Sequence, residues 1–557
     1  MWCSSINKQM VGNTGAQDGG RCVTGRRANT SIMSRVIALA LLALLAQATA
    51  LNVLVIVSIP IPSHYMALKT LFRELAHRGH KVTVMNNFPD KNPTPGLEFI
   101  DLEAYQPGAV STDDLEYYES ISPWYVPLYN LYRHIILVPG GTAQDCENLF
   151  THKKVKEHLD KKIKYDVIFV EQFMSDCGFA YAAAMYDSPI IGITSHVLLP
   201  IHYSRMGLPF DVRSDPHYFF NAGSNPSLWQ RVQITVADFI IQNYMKWSLQ
   251  ESLRGVFAKH LPEVSVDLDK MAKERMAMMF LYQHHSITGG RLLAPQVLEI
   301  AGIHIQKPKP VPKDIEKFLS SADHGVIYVS FGSLLRSHSM SDHKRKQFVE
   351  AFGRIPQKVI WKWGNDSFPE QSDHLLVGSW FPQLDILCHP KVLAFVSHGG
   401  MLSMSEAAHC GKPLLTVPFF GDQFSNAASA RQSGLGLTLF LEEIDSNNLE
   451  AAIRELTSVK MQSKAKRISQ LWHDRPLPVM DTAVYWTEYV ARHRTAPPSL
   501  PQKMNTSSFW TSPLDVICVI VTLVFVVLFV IYAIFKAVFK FVGGLFAKIL
   551  CKKAKKE

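Results

Sequence analysis

Residues 51–58 read LNVLVIVS, and at their centre no position is polar. A strand that is apolar on both faces must be covered on both, as in a parallel sheet with helices packed on either side. The sequence that follows fits such a sheet. A proline loop leads into a helical stretch from about His64, with Leu68, Leu71, Phe72 and Leu75 on one face. Gly79 closes it, and KVTVM at 81–85 is the next strand. Strand, loop, helix and strand form the opening unit of a doubly wound sheet. YDVIFV at 165–170 repeats the strand type in the same half.

The pattern breaks at 303–325, where QKPKPVPK at 306–313 has the proline and charge of a linker. A second series then begins, with strands expected at 326–331, 359–363, 374–377, 392–397 and 414–417. Helices at about 401–410 and 422–433 separate them, closed by Gly411 and Gly434. The expected class is α/β: two facing Rossmann-like domains at 51–305 and 326–470, with 306–325 as linker. Residues 471–510 are expected to form helices that return to the first domain. A chain of 557 residues, 47% hydrophobic, can bury two such cores, which excludes a disordered chain. The net charge of +9 is not a nucleic-acid footprint, because seven lysines lie in the last 22 residues and the body is near neutral. Eight cysteines without a C-x-x-C pair exclude a disulfide scaffold and zinc chemistry. The sequence does not pair Cys146, Cys177, Cys388 and Cys410.

Both ends point to a membrane. Arg35, an apolar run of about eleven residues and Ala48-Thr-Ala50 make a secretory signal peptide, within an N-terminal region at 1–50. Met33 would start that signal by itself, so residues 1–32 read as an upstream-start artefact or as an extension ahead of it. Residues 516–535 carry no charge and, at about 1.5 Å per residue, span about 30 Å of hydrocarbon. The basic tail at 536–557 follows, so positive-inside bias makes it cytosolic and 51–510 lumenal. Lys553 and Lys555 resemble a dilysine address that returns proteins to the endoplasmic reticulum; contact with anionic lipid is the alternative. Asn365 and Asn505 head glycosylation sequons. The anchor is also compatible with homo- or hetero-dimers.

The most specific segment runs from Phe395 through VSHGGMLSMSE to Glu406, then PLLTVPFFGDQ to Gln423. A strand ends at Ser397, two glycines turn the backbone, and a helix starts at about Met401. Exposed N–H groups at that helix start favour a phosphate, with His398 beside it. Glu406, Asp422 and Gln423 offer hydrogen-bonding groups to sugar hydroxyls. This segment resembles the signature of the UDP-glycosyltransferases, the GT-B family of animal glucuronosyl- and glucosyltransferases, and is most similar to its insect branch. The resemblance covers essentially the whole mature chain. It implies a UDP-sugar donor site formed by Ser333, Trp380, Gln383, His398, Gly400, Ser403, Glu406, Asp422 and Gln423. Trp380 and Gln383 would meet the uracil, and Ser333 the diphosphate. Leu402 departs from the family, many of whose members have Asn there, which puts one donor contact in doubt.

Glycosyl transfer needs a base for the acceptor hydroxyl. His64 stands at the start of a helix after the first strand, on the ligand-binding edge of such sheets, and the family's catalytic histidine matches it. The family pairs that histidine with a carboxylate. Glu171 has the strand-end position and Asp176 the family's residue type; both remain open, with a slight preference for Asp176. The implied reaction is an inverting, metal-free hexosyl transfer, with UDP-glucose as donor and small lipophilic acceptors, as in detoxification. UDP-glucuronate is the alternative donor, and a non-catalytic lipophile-binding protein the alternative class. A nicotinamide dehydrogenase is excluded because neither early strand leads into G-x-G-x-x-G. Asp267-Leu-Asp269 reads as a solvated face rather than a metal motif, and His284-His285 lacks the partners for zinc. Aromatic residues at 117–132 and 218–247 suit an apolar acceptor pocket and a packed core equally well, and 271–280 reads as core or membrane-facing surface.

Overall fold

The computed structural model describes residues 50–103, 114–120, 125–173, 175–208, 210–335, 337–364, 368–369, 372–495 and 514–553. The expected signal peptide and its extension, both sequons, Trp124 and the last four residues of the tail lie outside them.

The first half is a parallel sheet of β1 (Asn52–Ile56), β2 (Lys81–Asn86), β3 (Leu97–Asp101), β4 (Val167–Glu171), β5 (Ile190–Ile193), β6 (Met276–Leu281) and β7 (Val297–Glu299). Its order is β3-β2-β1-β4-β5-β6-β7. Val53, Leu54 and Val55 are fully buried, as a central strand covered on both faces requires. Helices α1 (Pro62–His77), α2 (Val126–Thr151) and α3 (Cys177–Met185) belong to this half. So does α4 (Leu228–Ile240), which runs through a π-helical turn (Ile241–Met245) into α5 (Lys246–His260).

The second half is a parallel sheet of β8 (Val326–Ser330), β9 (Lys358–Lys362), β10 (Leu375–Gly378), β11 (Val392–Ser397), β12 (Leu414–Thr416) and β13 (Gly436–Thr438), in the order β10-β9-β8-β11-β12-β13. It carries α6 (Gln383–Leu387), α7 (Met401–Cys410) and α8 (Gln423–Ser433). In each sheet the winding reverses beside the first strand, between β1 and β4 and between β8 and β11. The crevice at the carboxyl ends of such strands is where ligands bind in open α/β sheets. Helix α9 (Val479–His493) returns to the first half, and α10 (Leu514–Lys553) follows. Residues Leu514–Gly543 of α10 are long and apolar enough to cross a membrane.

Three segments carry more detail than the sequence pattern gives. The linker at 306–325 contains a helix, Lys313–Ser320, anchored by buried Ile315 and Leu319. Of the two readings of 271–280, core holds for its second part: a helix ends at Arg275, and β6 is buried along its whole length inside the first sheet. Strand β13 was not expected, being three residues long with a glycine at its start. Disulfides join Cys146 to Cys177, linking α2 to α3, and Cys388 to Cys410, linking the end of α6 to α7.

Candidate active site

Helix α1 begins with Pro62, whose missing N–H costs nothing in the first turn, and His64 follows in that turn. Because β1 and β4 are adjacent and parallel, the turn after β1 lies beside the end of β4. Glu171 is the last residue of β4, and its Oε1 is 2.5 Å from His64 Nδ1. The carboxylate is 3% exposed and the imidazole 13%. With Nδ1 engaged, Nε2 is the ring nitrogen left for the cleft. The Phe173 ring meets the imidazole edge-on at 4.4 Å.

Asp176, slightly preferred on residue type, does not pair with His64. It stands at the start of α3, and Arg205 Nη1 and Nη2 donate to its two oxygens at 2.6 and 2.8 Å. Both side chains are buried, and this two-pronged ion pair holds the carboxylate away from the histidine. A third carboxylate escaped the sequence reading. Asp145 accepts from Ser58 Oγ at 2.8 Å and Ser175 Oγ at 2.5 Å, bracing the loops after β1 and β4. Burial pushes its carboxyl up to about 6.

In the second half, β11 ends at Ser397 and Gly399 takes φ +84°, a conformation costly for other residues. A Cβ on Gly400 would collide with the His398 ring, so the backbone at the start of α7 approaches that ring as only glycine permits. Gln383 Nε2 donates to Glu406 Oε2 at 2.6 Å and Ser403 Oγ at 3.1 Å, joining α6 to α7. Trp380 is 64% exposed and offers an open ring face. Lys362, at the end of β9, lies 4.4 Å over that ring and donates to Gly332 O at 2.9 Å. Burial brings its ammonium down to about 8. Burial, reinforced by the Lys362 charge, brings His398 down to about 4, so this imidazole is neutral near pH 7. Lys362, absent from the sequence reading, is therefore the cation beside His398, and its place at a strand end was the available signal.

Asp422 accepts from Asn426 Nδ2 at 2.7 Å. Burial pushes its carboxyl up to about 6, while Asn426 and nearby His64 pull the other way. Gln423 Oε1 is committed to the loop, accepting from the N–H groups of Phe419 and Phe420.

One cleft of about 800 Å³ collects these groups. His64, Ser333, Trp380, Gln383, His398, Gly400, Ser403, Glu406, Asp422 and Gln423 all line it, whereas Glu171 stands behind His64 and Asp176 lines a separate small cavity. Of the described aromatic residues at 117–132 and 218–247, Tyr218 lines the cleft, beside Phe173, His134, His196 and Leu137. Among the described residues no cluster of His, Cys, Asp or Glu could hold a metal ion. Asp267 caps the helix Leu268–Arg275, and Asp269 pairs with Lys246. His285 pairs with Glu299.

Residues 52–552 match the sequence model of the family described as "UDP-glucoronosyl and UDP-glucosyl transferase". The chain belongs to this family of UDP-glycosyltransferases. Among its relatives, UDP-glucosyltransferase 2 of Dactylopius coccus is 32% identical over 78% of this chain and 82% of its own. UDP-glucuronosyltransferase 2B17 of Mus musculus is 28% identical over 83% of this chain and 89% of its own. The fold is that of solved GT-B glycosyltransferases. The calicheamicin glycosyltransferase CalG4 superimposes with a TM-score of 0.56 at 17% identity, over 80% of this chain and all of its own. Phytolacca americana UGT2, solved with UDP-2fluoro-glucose and pterostilbene, gives 0.53 at 14% identity, over 79% of this UDP-glycosyltransferase and all of its own chain.

Proposed function

We propose that this UDP-glycosyltransferase moves glucose from UDP-glucose to a hydroxyl of a small lipophilic acceptor, with inversion at the anomeric carbon. The observation that carries the reading is the His64–Glu171 pair facing the groups of the second half across one cleft. In the proposed step His64 Nε2 takes the acceptor's O–H proton as the oxygen attacks C1 of the sugar. The bond from C1 to the UDP oxygen breaks, and UDP leaves with its electron pair. Glu171 holds the tautomer in which Nε2 is the acceptor and stabilises the imidazolium that forms. The start of α7 and Lys362 would meet the diphosphate, Trp380 the base, and Glu406 and Asp422 hydroxyls of the donor. Glucose is favoured because the relatives above 30% identity include one named as a glucosyltransferase. An apolar wall of Ile61, Met66, Leu137 and Phe173 suits a lipophilic acceptor.

We infer that α10 anchors the chain in the endoplasmic reticulum membrane with both sheets lumenal. Lysines 536, 540 and 548 after the apolar run favour a cytosolic tail, and the two disulfides fit an oxidising lumen. The test is UDP release from membranes carrying the chain, with phenolic acceptors and either UDP-glucose or UDP-glucuronate, beside His64→Ala. Glucose-dependent release abolished by His64→Ala supports the reading. Release with glucuronate alone overturns the donor, and release unchanged in His64→Ala overturns the base.

A further inference from the structure

The aromatic residues at 218–247 that do not reach the cleft have another disposition. Between 228 and 250, along α4, the π turn and the start of α5, the exposed residues are Leu228, Trp229, Val236, Phe239, Asn243, Tyr244 and Trp247. Asn243 is the one polar member, and none is charged. A helix facing water carries its charges on this outer face. Here Trp229, Phe239, Tyr244 and Trp247 are between 48% and 58% exposed. They recur at helical spacing and stretch over about 27 Å of helix at 1.5 Å per residue.

A second observation says what covers the stripe. Arg231, in the first turn of α4, pairs with Asp515 at 2.7 Å, and α4 packs on the start of α10, where Val516 is fully buried. Asp515 and Val516 belong to the first turn of the apolar stretch that begins at Leu514. An element pressed against the first turn of a spanning helix stands where hydrocarbon gives way to headgroups. Trp and Tyr collect in that layer because their rings are apolar and their N–H or O–H tips need a polar partner.

We propose that the face of Trp229, Val236, Phe239, Tyr244 and Trp247 lies in the interfacial layer of the bilayer that α10 crosses. It is a second, in-plane membrane contact, and it rests on reading α10 as the anchor. The contact has a consequence for the acceptor. Helix α2 packs on α5 and supplies Arg133, His134 and Leu137 to the cleft. The acceptor side of the cleft is thereby held near the lipid in which a lipophilic substrate concentrates.

The experiment uses the full chain reconstituted in phosphatidylcholine vesicles, with a fluorescent amino acid at one position at a time. The positions are Phe239, Trp247, Val526 in α10, and Glu455, which is exposed on the second half. Lipids bearing a nitroxide near the headgroup or deep in the chain act as quenchers. The expected result is several-fold stronger quenching at Phe239 and Trp247 by the shallow nitroxide than at Glu455, with Val526 quenched by the deep one. Quenching at Val526 alone overturns the interfacial contact and leaves the anchor standing. Absence of quenching at all three overturns both. Shielding of Phe239 and Trp247 from aqueous iodide without lipid quenching, together with crosslinked pairs of chains, assigns the face to a second copy and also overturns the proposal.

Discussion

Glu171 and Asp176 are both buried carboxylates a few residues apart, yet their partners give them different work. Glu171 touches His64, so Glu171→Gln keeps a hydrogen-bonding shape and loses the charge that steadies the imidazolium. We expect kcat to fall about 10- to 100-fold with donor KM unchanged, less than the roughly 10²- to 10⁴-fold that a general base contributes in full, because His64 itself stays in place. Asp176→Asn leaves the buried Arg205 guanidinium with only the more exposed Asp269, 3.5 Å from its Nε, as counter-ion. It should cost about 3–5 kcal/mol in denaturant unfolding and leave kcat per folded molecule alone. Equal loss of kcat in both variants contradicts this division. Asp422 supplies a pH dependence. Burial raises it to about 6, so its contribution to stability is greatest below the unfolded value near 4 and is lost as pH rises through 6. Binding of sugar hydroxyls as an acceptor runs the other way and needs the carboxylate. Donor KM should therefore rise as pH falls through about 6, and Asp422→Asn should flatten that limb of the profile. Since His398 is neutral, Lys362→Met removes the nearby cation and should raise donor KM about 10-fold or more, as loss of a charge-assisted contact does.

At the scale of elements, the second disulfide has a definite task. It joins the residue after α6 to the last residue of α7, the two helices that carry Gln383 and its partners Ser403 and Glu406. Cys410→Ser should lower stability by about 3 kcal/mol, the loop-closure value for a ring of this size, and raise donor KM more than it lowers kcat. A KM unchanged beside the lost stability would separate the bond from the site. The same region shows why much of the molecule was legible in advance. The run ending at Ser397, the glycine pair and the stop at Gly411 are local signals, and β11 and α7 follow them with the boundaries expected. Strand β13 has too few residues for a pattern, and β6, rich in methionine, lacks the branched side chains that mark a strand. The carboxylate partner of His64 was not legible because it depends on Arg205, a residue 29 positions beyond Asp176 that only the tertiary fold brings there. The outward aromatics of α4 and α5 were misread for a related reason. Composition marks them as apolar, but which neighbour they face is a property of packing.

The whole molecule must hold two sheets at a working distance while a donor and an acceptor meet between them. The chain connects the halves twice, first through 306–325 and again through α9, which leaves the second half and packs on α1 in the first. Asp481 pairs with Arg78, Glu488 lies 3.3 Å from His80, and Val484 and Val490 are buried on the inner face of α9. The exposed ion pairs contribute little, so the apolar face sets the strength of this tie. Replacing Val484 and Val490 together with Ala removes four methyl groups' worth of packing. That should cost about 3 kcal/mol, at roughly 0.8 kcal/mol for each buried carbon lost. Since the loss falls where α9 packs on α1, β4 and β6 of the first half, it loosens the tie between the halves, and calorimetry should show one unfolding transition splitting towards two. UDP binding by the second half should survive, while kcat falls because His64 no longer meets the donor at a fixed distance. A single transition with unaltered kcat would mean that 306–325 and the direct contacts between the halves hold the cleft without α9.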